Sequence, residues 1–146
     1  MATATGFQID METGDINMNR GDTGSFKVRC RRASGEDWPA DSRMLYTIKD
    51  SSGKIVLQRI YRLDDAWGLG NGVVLIEFHN SDTDTWEFGT YSAERRYNMH
   101  PTWKGGVAPE GRCVNALETG DEMIEGVPVR TVWQGSLNIV NVLGDI

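Results

Sequence analysis

Few side chains in this sequence could carry chemistry. Two histidines, His79 and His100, are its only imidazoles. Nucleophilic catalysis joins a Ser or Cys to a base and an orienting group. His79 ends an alternating segment on its polar side, and His100 precedes Pro101 in loop-like sequence. No Gly-x-Ser-x-Gly elbow is present. Adjacent acids occur at Asp64-Asp65, Asp82/Asp84 and Asp121-Glu122. Glycoside hydrolysis would need such carboxyls held about 5–9 Å apart across a cleft, and acidic turn residues are the simpler reading. Asp82-Thr83-Asp84 opens like a calcium loop but lacks that loop's glycine and terminal glutamate. Cys30 and Cys113 form no C-x-x-C pair, and with two histidines they make no zinc spacing. The expectation is a protein with no catalytic residue, no metal and no cofactor.

Binding chemistry is better represented. Of five tryptophans, Trp86 and Trp133 lie beside strand patterns and are expected in the core. Trp38, Trp67 and Trp103 sit among polar and glycine neighbours. Trp38 is expected to cover an open end of the fold. Trp67 and Trp103 are the two candidates for an interface or a ligand platform, since a partly exposed indole suits either a protein contact or a sugar face. Arg29, Arg31 and Arg32, with Lys27 nearby, form one basic cluster. It reads first as a solvated strand face and second as a docking patch for an acidic partner.

The elements that must hold these groups are mostly strands. Phe26, Val28 and Cys30 alternate with Ser25, Lys27, Arg29 and Arg31, a period of two with one face buried. Met44, Tyr46 and Ile48 form the next inward row. Asp50-Ser51-Ser52-Gly53 then predicts a hairpin between Met44–Lys49 and Lys54–Tyr61. Residues 63–72 read as a glycine-rich loop without the spacing of a dinucleotide site. Val73–His79 is a strand. Ser81–Glu87 can make one helical turn capped by Ser81 or Asp82, and Thr90–Tyr97 is the next strand. In that strand Arg95 interrupts an inward row of Tyr91, Ala93 and Tyr97, which predicts a sheet end or a bulge. Cys113–Leu117 contains a short strand, and Gln134-Gly135 predicts a tight hairpin between Val127–Trp133 and Ser136–Val142. Residues 1–15 read as a flexible arm, with a short strand at Phe7–Met11, and residues 16–146 as one domain with 98–126 a long connection or inserted hairpin. With seven to nine strands and no amphipathic helix, the pattern predicts an antiparallel β-sandwich, with a closed barrel as the alternative.

At 146 residues the chain has the length of one domain and can bury a core without disulfides. Its net charge of −6 argues against general nucleic-acid binding, which needs a basic surface. The first residues carry no basic start followed by an apolar run, so no secretory signal is expected. No apolar stretch reaches the roughly 18 residues that span a membrane.

Three phrases stand in fixed order: GDTGSF at Gly21–Phe26, YTIKDSSGKIV at Tyr46–Val56, and DTDTWEFGTY at Asp82–Tyr91. Together they resemble the N-terminal domain of siphophage upper baseplate proteins and related prophage tail proteins, over about residues 16–140. Residues 98–126 depart from that pattern. The resemblance implies an immunoglobulin-like sandwich acting as a non-enzymatic structural part of a phage tail or baseplate. Such a protein would be made in the bacterial cytoplasm and carried in the virion. Its partners would be other tail or baseplate subunits, with a homo-oligomer among the arrangements expected. The alternative is a carbohydrate- or cell-surface-binding module built on Trp67 and Trp103. Tyr91, after the Asp82–Glu87 turn, is a candidate corner tyrosine whose hydroxyl would bond backbone a few residues upstream.

Overall fold

The computed structural model describes residues 7–10, 12–128 and 133–140. The chain is all-β. Its strands are β1 (Gln8–Ile9), β2 (Ile16–Asn19), β3 (Gly24–Arg29), β4 (Arg43–Lys49), β5 (Ile55–Arg62), β6 (Val73–Phe78), β7 (Gly89–Trp103), β8 (Cys113–Asn115), β9 (Met123–Pro128) and β10 (Trp133–Val140). Among the described residues helix is confined to α1 (Asn80–Thr83), α2 (Ala116–Thr119) and a 3-10 turn at Asp65–Trp67.

Turn chemistry sets the first register. The Asp50 carboxylate accepts the backbone N–H groups of Ser52 and Lys54, both at 2.9 Å. Gly53 adopts φ +88°, which glycine takes without steric cost. This closes β4 on β5, paired from Arg43↔Arg62 to Ile48↔Leu57. The Ser52 hydroxyl and those backbone bonds hold the Asp50 carboxyl below the usual carboxylate range.

The large sheet runs β1-β2-β10-β7-β4-β5-β8, with β9 also on β7. The small sheet is β3-β6. Both contribute to one core. Phe26, Val28, Val74, Ile76 and Phe78 from the small sheet meet Ile16, Met18, Met44, Tyr46, Ile48 and Leu137 from the large one. The sequence reading expects antiparallel pairing. One ladder departs from it: β2 and β10 are parallel, from Ile16↔Leu137 to Asn19↔Val140. Parallel neighbours need a long crossover, and these two strands are 121 residues apart. β2 lies outside the strands that alternation in the sequence predicts.

Several expectations change. Gln134-Gly135 is no turn; both residues lie within β10, opposite Glu94 and Ala93 of β7. β9 and β10 follow β7 in succession along its length, and the pairing offset advances by two residues between Asn98↔Pro128 and Arg95↔Trp133. A 15-residue strand templates the return, so the dipeptide is held extended. Arg95 marks neither a bulge nor a sheet end, because its pairing with Tyr46 is in register and the residue is buried. At α1 the cap comes from the third helical residue: the Asp82 carboxylate accepts the His79 backbone N–H at 2.7 Å.

Residues expected in an arm lie partly against the domain. β1 pairs with β2, and the Phe7 ring packs on Phe26 and Phe78 at 6.2 and 6.0 Å between centroids. Residues 98–126 supply the distal half of β7, all of β8 and α2, and the start of β9. They enclose a second small core of Ile60, Trp103 and Ala116.

Burial of tyrosines gives the fold a pH limit. Desolvation pushes the Tyr46 phenol up to about 12 and those of Tyr61 and Tyr97 upward as well. A raised phenol keeps its proton in the folded chain while the unfolded chain loses it. The stabilisation is therefore complete below the ordinary value near 10 and disappears as pH rises through the folded values. We expect the melting temperature to hold up to about pH 9.5 and to fall steeply by pH 11. Tyr46→Phe should flatten that slope. An identical slope in the variant would show that Tyr46 ionisation is not involved.

Candidate functional site

The two tryptophans singled out from sequence are not brought together. Trp103 is only 9% exposed and packs in the second core, so it cannot serve as an open platform. Its place at the end of β7 decides this, since there it faces Ile60 and Ala116, whereas Tyr97 and Met99 earlier in the strand pack in the main core. Trp67 is half-buried against Tyr61, 6.1 Å between centroids, with the Arg112 guanidinium 5.9 Å from its own ring centroid. Trp38 is buried. Its Nε1 donates to the Cys30 carbonyl at 3.0 Å and its ring packs on Tyr97. Trp86 is buried and stacks on Tyr91 at 4.9 Å. The side chain of Trp133 lies outside the described residues.

Acidic pairs serve local structure. Asp64 pairs with Arg62, Asp65 accepts the Gly70 N–H at 2.7 Å, and Asp82 pairs with Arg59 at 2.7 Å. Among the described residues no group of three or more His, Cys, Asp or Glu converges as a metal site. His79 and His100 are both exposed, and His100 lies 2.7 Å from Asp41. Cys30 and Cys113 are free thiols. No helix in the described residues is long and apolar enough to cross a membrane.

Three surfaces of the described residues offer places where the molecule could meet something. The first is a groove of about 590 Å³ between the β4–β5 turn and the corner that joins α1 to β7. Asp50, Ser52 and Lys54 form one wall, and Thr85, Glu87 and Phe88 the other. Phe88 is 47% exposed, and the Arg20 guanidinium lies 4.3 Å from its ring centroid. The corner is pinned from within, because the Tyr91 hydroxyl donates to the Glu87 carbonyl at 2.8 Å. This is the corner bond that Tyr91 was a candidate for. An exposed aromatic on a rigid, polar-walled groove is a feature of protein contacts.

The second surface is the seam where the β5–β8 side of the large sheet faces β6. A cleft of about 260 Å³ there is lined by Arg59, Tyr61, Trp67, Glu77, His79 and Cys113. Arg59 closes it. The guanidinium pairs with Asp82 and also donates to the Glu77 carbonyl, so a side chain occupies the outer edge of β6. Cys113 is exposed, yet desolvation raises its thiol pKa, the opposite of what an activated nucleophile requires.

The third is the outer edge of β3. Lys27, Arg29 and Arg31 are exposed at alternate positions, with Phe26, Val28 and Cys30 buried between them. Lys27 and Arg29 of the basic cluster read from sequence thus lie on a strand face, with Arg31 just beyond its end. Arg32 leaves the row, pairing with Glu36 at 3.4 Å and bonding the Asp37 carbonyl at 2.8 Å. A cleft of about 300 Å³ lies beside this edge, under Ile9 and Asp10. Comparison with protein-family models, with curated proteins and with solved structures finds no match for the chain.

Proposed function

We propose that the chain is a non-enzymatic structural protein of a phage or prophage tail or baseplate, working through contacts with other tail subunits. The proposed frame is an immunoglobulin-like sandwich whose short second strand pairs in parallel with its last. The observation that carries the reading is where the three phrases fall. Gly21–Phe26 leads into β3, Tyr46–Val56 spans the β4–β5 hairpin, and Asp82–Tyr91 spans α1 and the corner into β7. Inside the last phrase lies the Tyr91–Glu87 bond, the device by which such sandwiches fix a crossover. The 590 Å³ groove with exposed Phe88, and the basic edge of β3, supply contact surfaces of the kind an assembly protein uses.

Glycan binding is the weaker reading. It would need open indoles, and Trp103 is buried while Trp67 is held against Tyr61. The test is to induce the source strain, purify released particles and quantify this chain by mass spectrometry. We expect it at a fixed ratio to the other tail proteins. Complete tails without it would overturn the proposal.

A further inference from the structure

The small sheet has two outer edges, and among the described residues only one is closed. On β6 the Glu77 carbonyl points away from β3 and is taken by Arg59. Among the described residues β3 pairs with β6 alone. The Cys30 N–H donates to the Gly72 carbonyl at 2.7 Å, so the even-numbered residues of this strand address β6. By the alternation of an antiparallel ladder, Ser25, Lys27 and Arg29 turn their N–H and C=O groups to the free side. An unpaired edge of this kind is a template for another strand.

Charge limits what that strand can be. Lys27 and Arg29 project in one row, at a spacing of about 6.6–6.8 Å, with Arg31 exposed just beyond the strand. None of them forms an ion pair among the described residues. Their neighbours across the ladder do not neutralise them, since Leu75 stands opposite Lys27 and Val73 opposite Arg29. The nearby Asp10 carboxylate caps its own turn through the N–H groups of Glu12 and Thr13. This row sits on a protein whose net charge is −6. A second basic strand is repelled from the edge, whereas a strand with carboxylates at alternate positions places one opposite each cation. Its intervening side chains would point towards the 300 Å³ cleft, where Ile9, Phe26 and Val28 favour apolar residues beside the charged Asp10 and Arg95.

We propose that the free edge of β3 accepts an extended segment of a partner protein by strand addition, the segment alternating acidic and apolar residues. The inference deepens the assembly reading and rests on it for the identity of the partner class.

The probe is a fluorescein-labelled peptide, Ser-Asp-Val-Asp-Val-Asp-Val-Ser, titrated with the chain by anisotropy, beside its lysine-for-aspartate counterpart. Saturable binding of the acidic peptide is expected, with the lysine peptide at least about tenfold weaker. Lys27→Pro removes an outward N–H and no bond to β6, so it should fold and lose more than about tenfold in affinity. Lys27→Ala removes one cation and should lose only about two- to threefold. Melting curves of both variants check the fold. No binding of the acidic peptide at 1 mM (about the weakest affinity of interest) overturns the proposal. So does equal binding of the two peptides, or wild-type affinity in folded Lys27→Pro. Self-association abolished by Lys27→Pro would make a second copy the occupant and overturn the acidic partner. Absence from tails with peptide binding intact would sink the tail reading alone. Incorporation into tails unchanged by Lys27→Pro would sink the strand acceptor alone.

Discussion

Arg59→Met should destabilise the fold by about 3–5 kcal/mol, the usual result of removing one partner from a buried ion pair. Arg59 and Asp82 are 8% and 16% exposed at their side chains, so water screens them little. Methionine keeps an unbranched apolar stem, so the loss is confined to the guanidinium, its ion pair and its contact 5.7 Å from the Phe78 ring centroid. What remains is an Asp82 carboxylate without its cation and a Glu77 carbonyl without its donor. Asp82→Asn should cost less, because the amide oxygen can still accept the His79 N–H that starts α1. The double variant should lose clearly less than the sum of the two, since each single change already breaks the same pair. Urea unfolding of the four proteins supplies the cycle. A loss below about 1 kcal/mol in Arg59→Met would mean the pair acts as a surface bridge.

Gly72→Ala is the second large effect, at about 2–5 kcal/mol. Two costs combine. Gly72 has φ +82°, where an L side chain loses roughly 1–2 kcal/mol. An added Cβ would also lie under 3.0 Å from the Cys30 carbonyl oxygen, which is backbone and cannot swing away, and 3.2 Å from the Trp38 ring. Overpacking of that kind costs about 1–3 kcal/mol. Cys30 and Gly72 are joined through the Cys30 N–H, and the same Cys30 carbonyl accepts Trp38 Nε1, so relief by movement opens the end of the β3–β6 ladder. Gly53→Ala is the control. It shares the positive φ, at +88°, but meets nothing within 4 Å. Equal urea midpoints for the two variants would remove the steric half of the argument.

Local alternation and turn chemistry were readable from the residues. Phe26 and Val28, the Asp50–Gly53 turn, the Val73–Phe78 strand and the Tyr91 corner all depend on neighbours within a few positions. β2 was missed because Ile16-Asn17-Met18-Asn19 is short and half asparagine. Its strand state comes from β10, far along the chain. Gln134-Gly135 carries turn residues, but the long β7 template overrides them. Trp103 looked exposed because its sequence neighbours are polar. Its burial depends on Ile60 and Ala116, which only the folded sheet brings near. The basic row at Lys27, Arg29 and Arg31 was legible as a row. That Lys27 and Arg29 lie on an unpaired edge was not, because edge status is a property of the whole sheet order.

β10 inserts between β2 and β7, so the middle of the large sheet consists of residues synthesised late. Asn17 and Asn138 are joined across 121 positions. At about 5–20 residues per second, β2 waits roughly 6–24 s on the ribosome before its central neighbour exists. During that interval Ile16 and Met18, both fully buried in the finished protein, have no sheet to enter. The β4–β5 hairpin and its pairing with β7 can form meanwhile, giving a partial sheet with an open flank. Translation speed over the last strands therefore sets how long that flank is exposed to other nascent copies. Slow codons there should lower soluble yield without changing the stability of the protein once made.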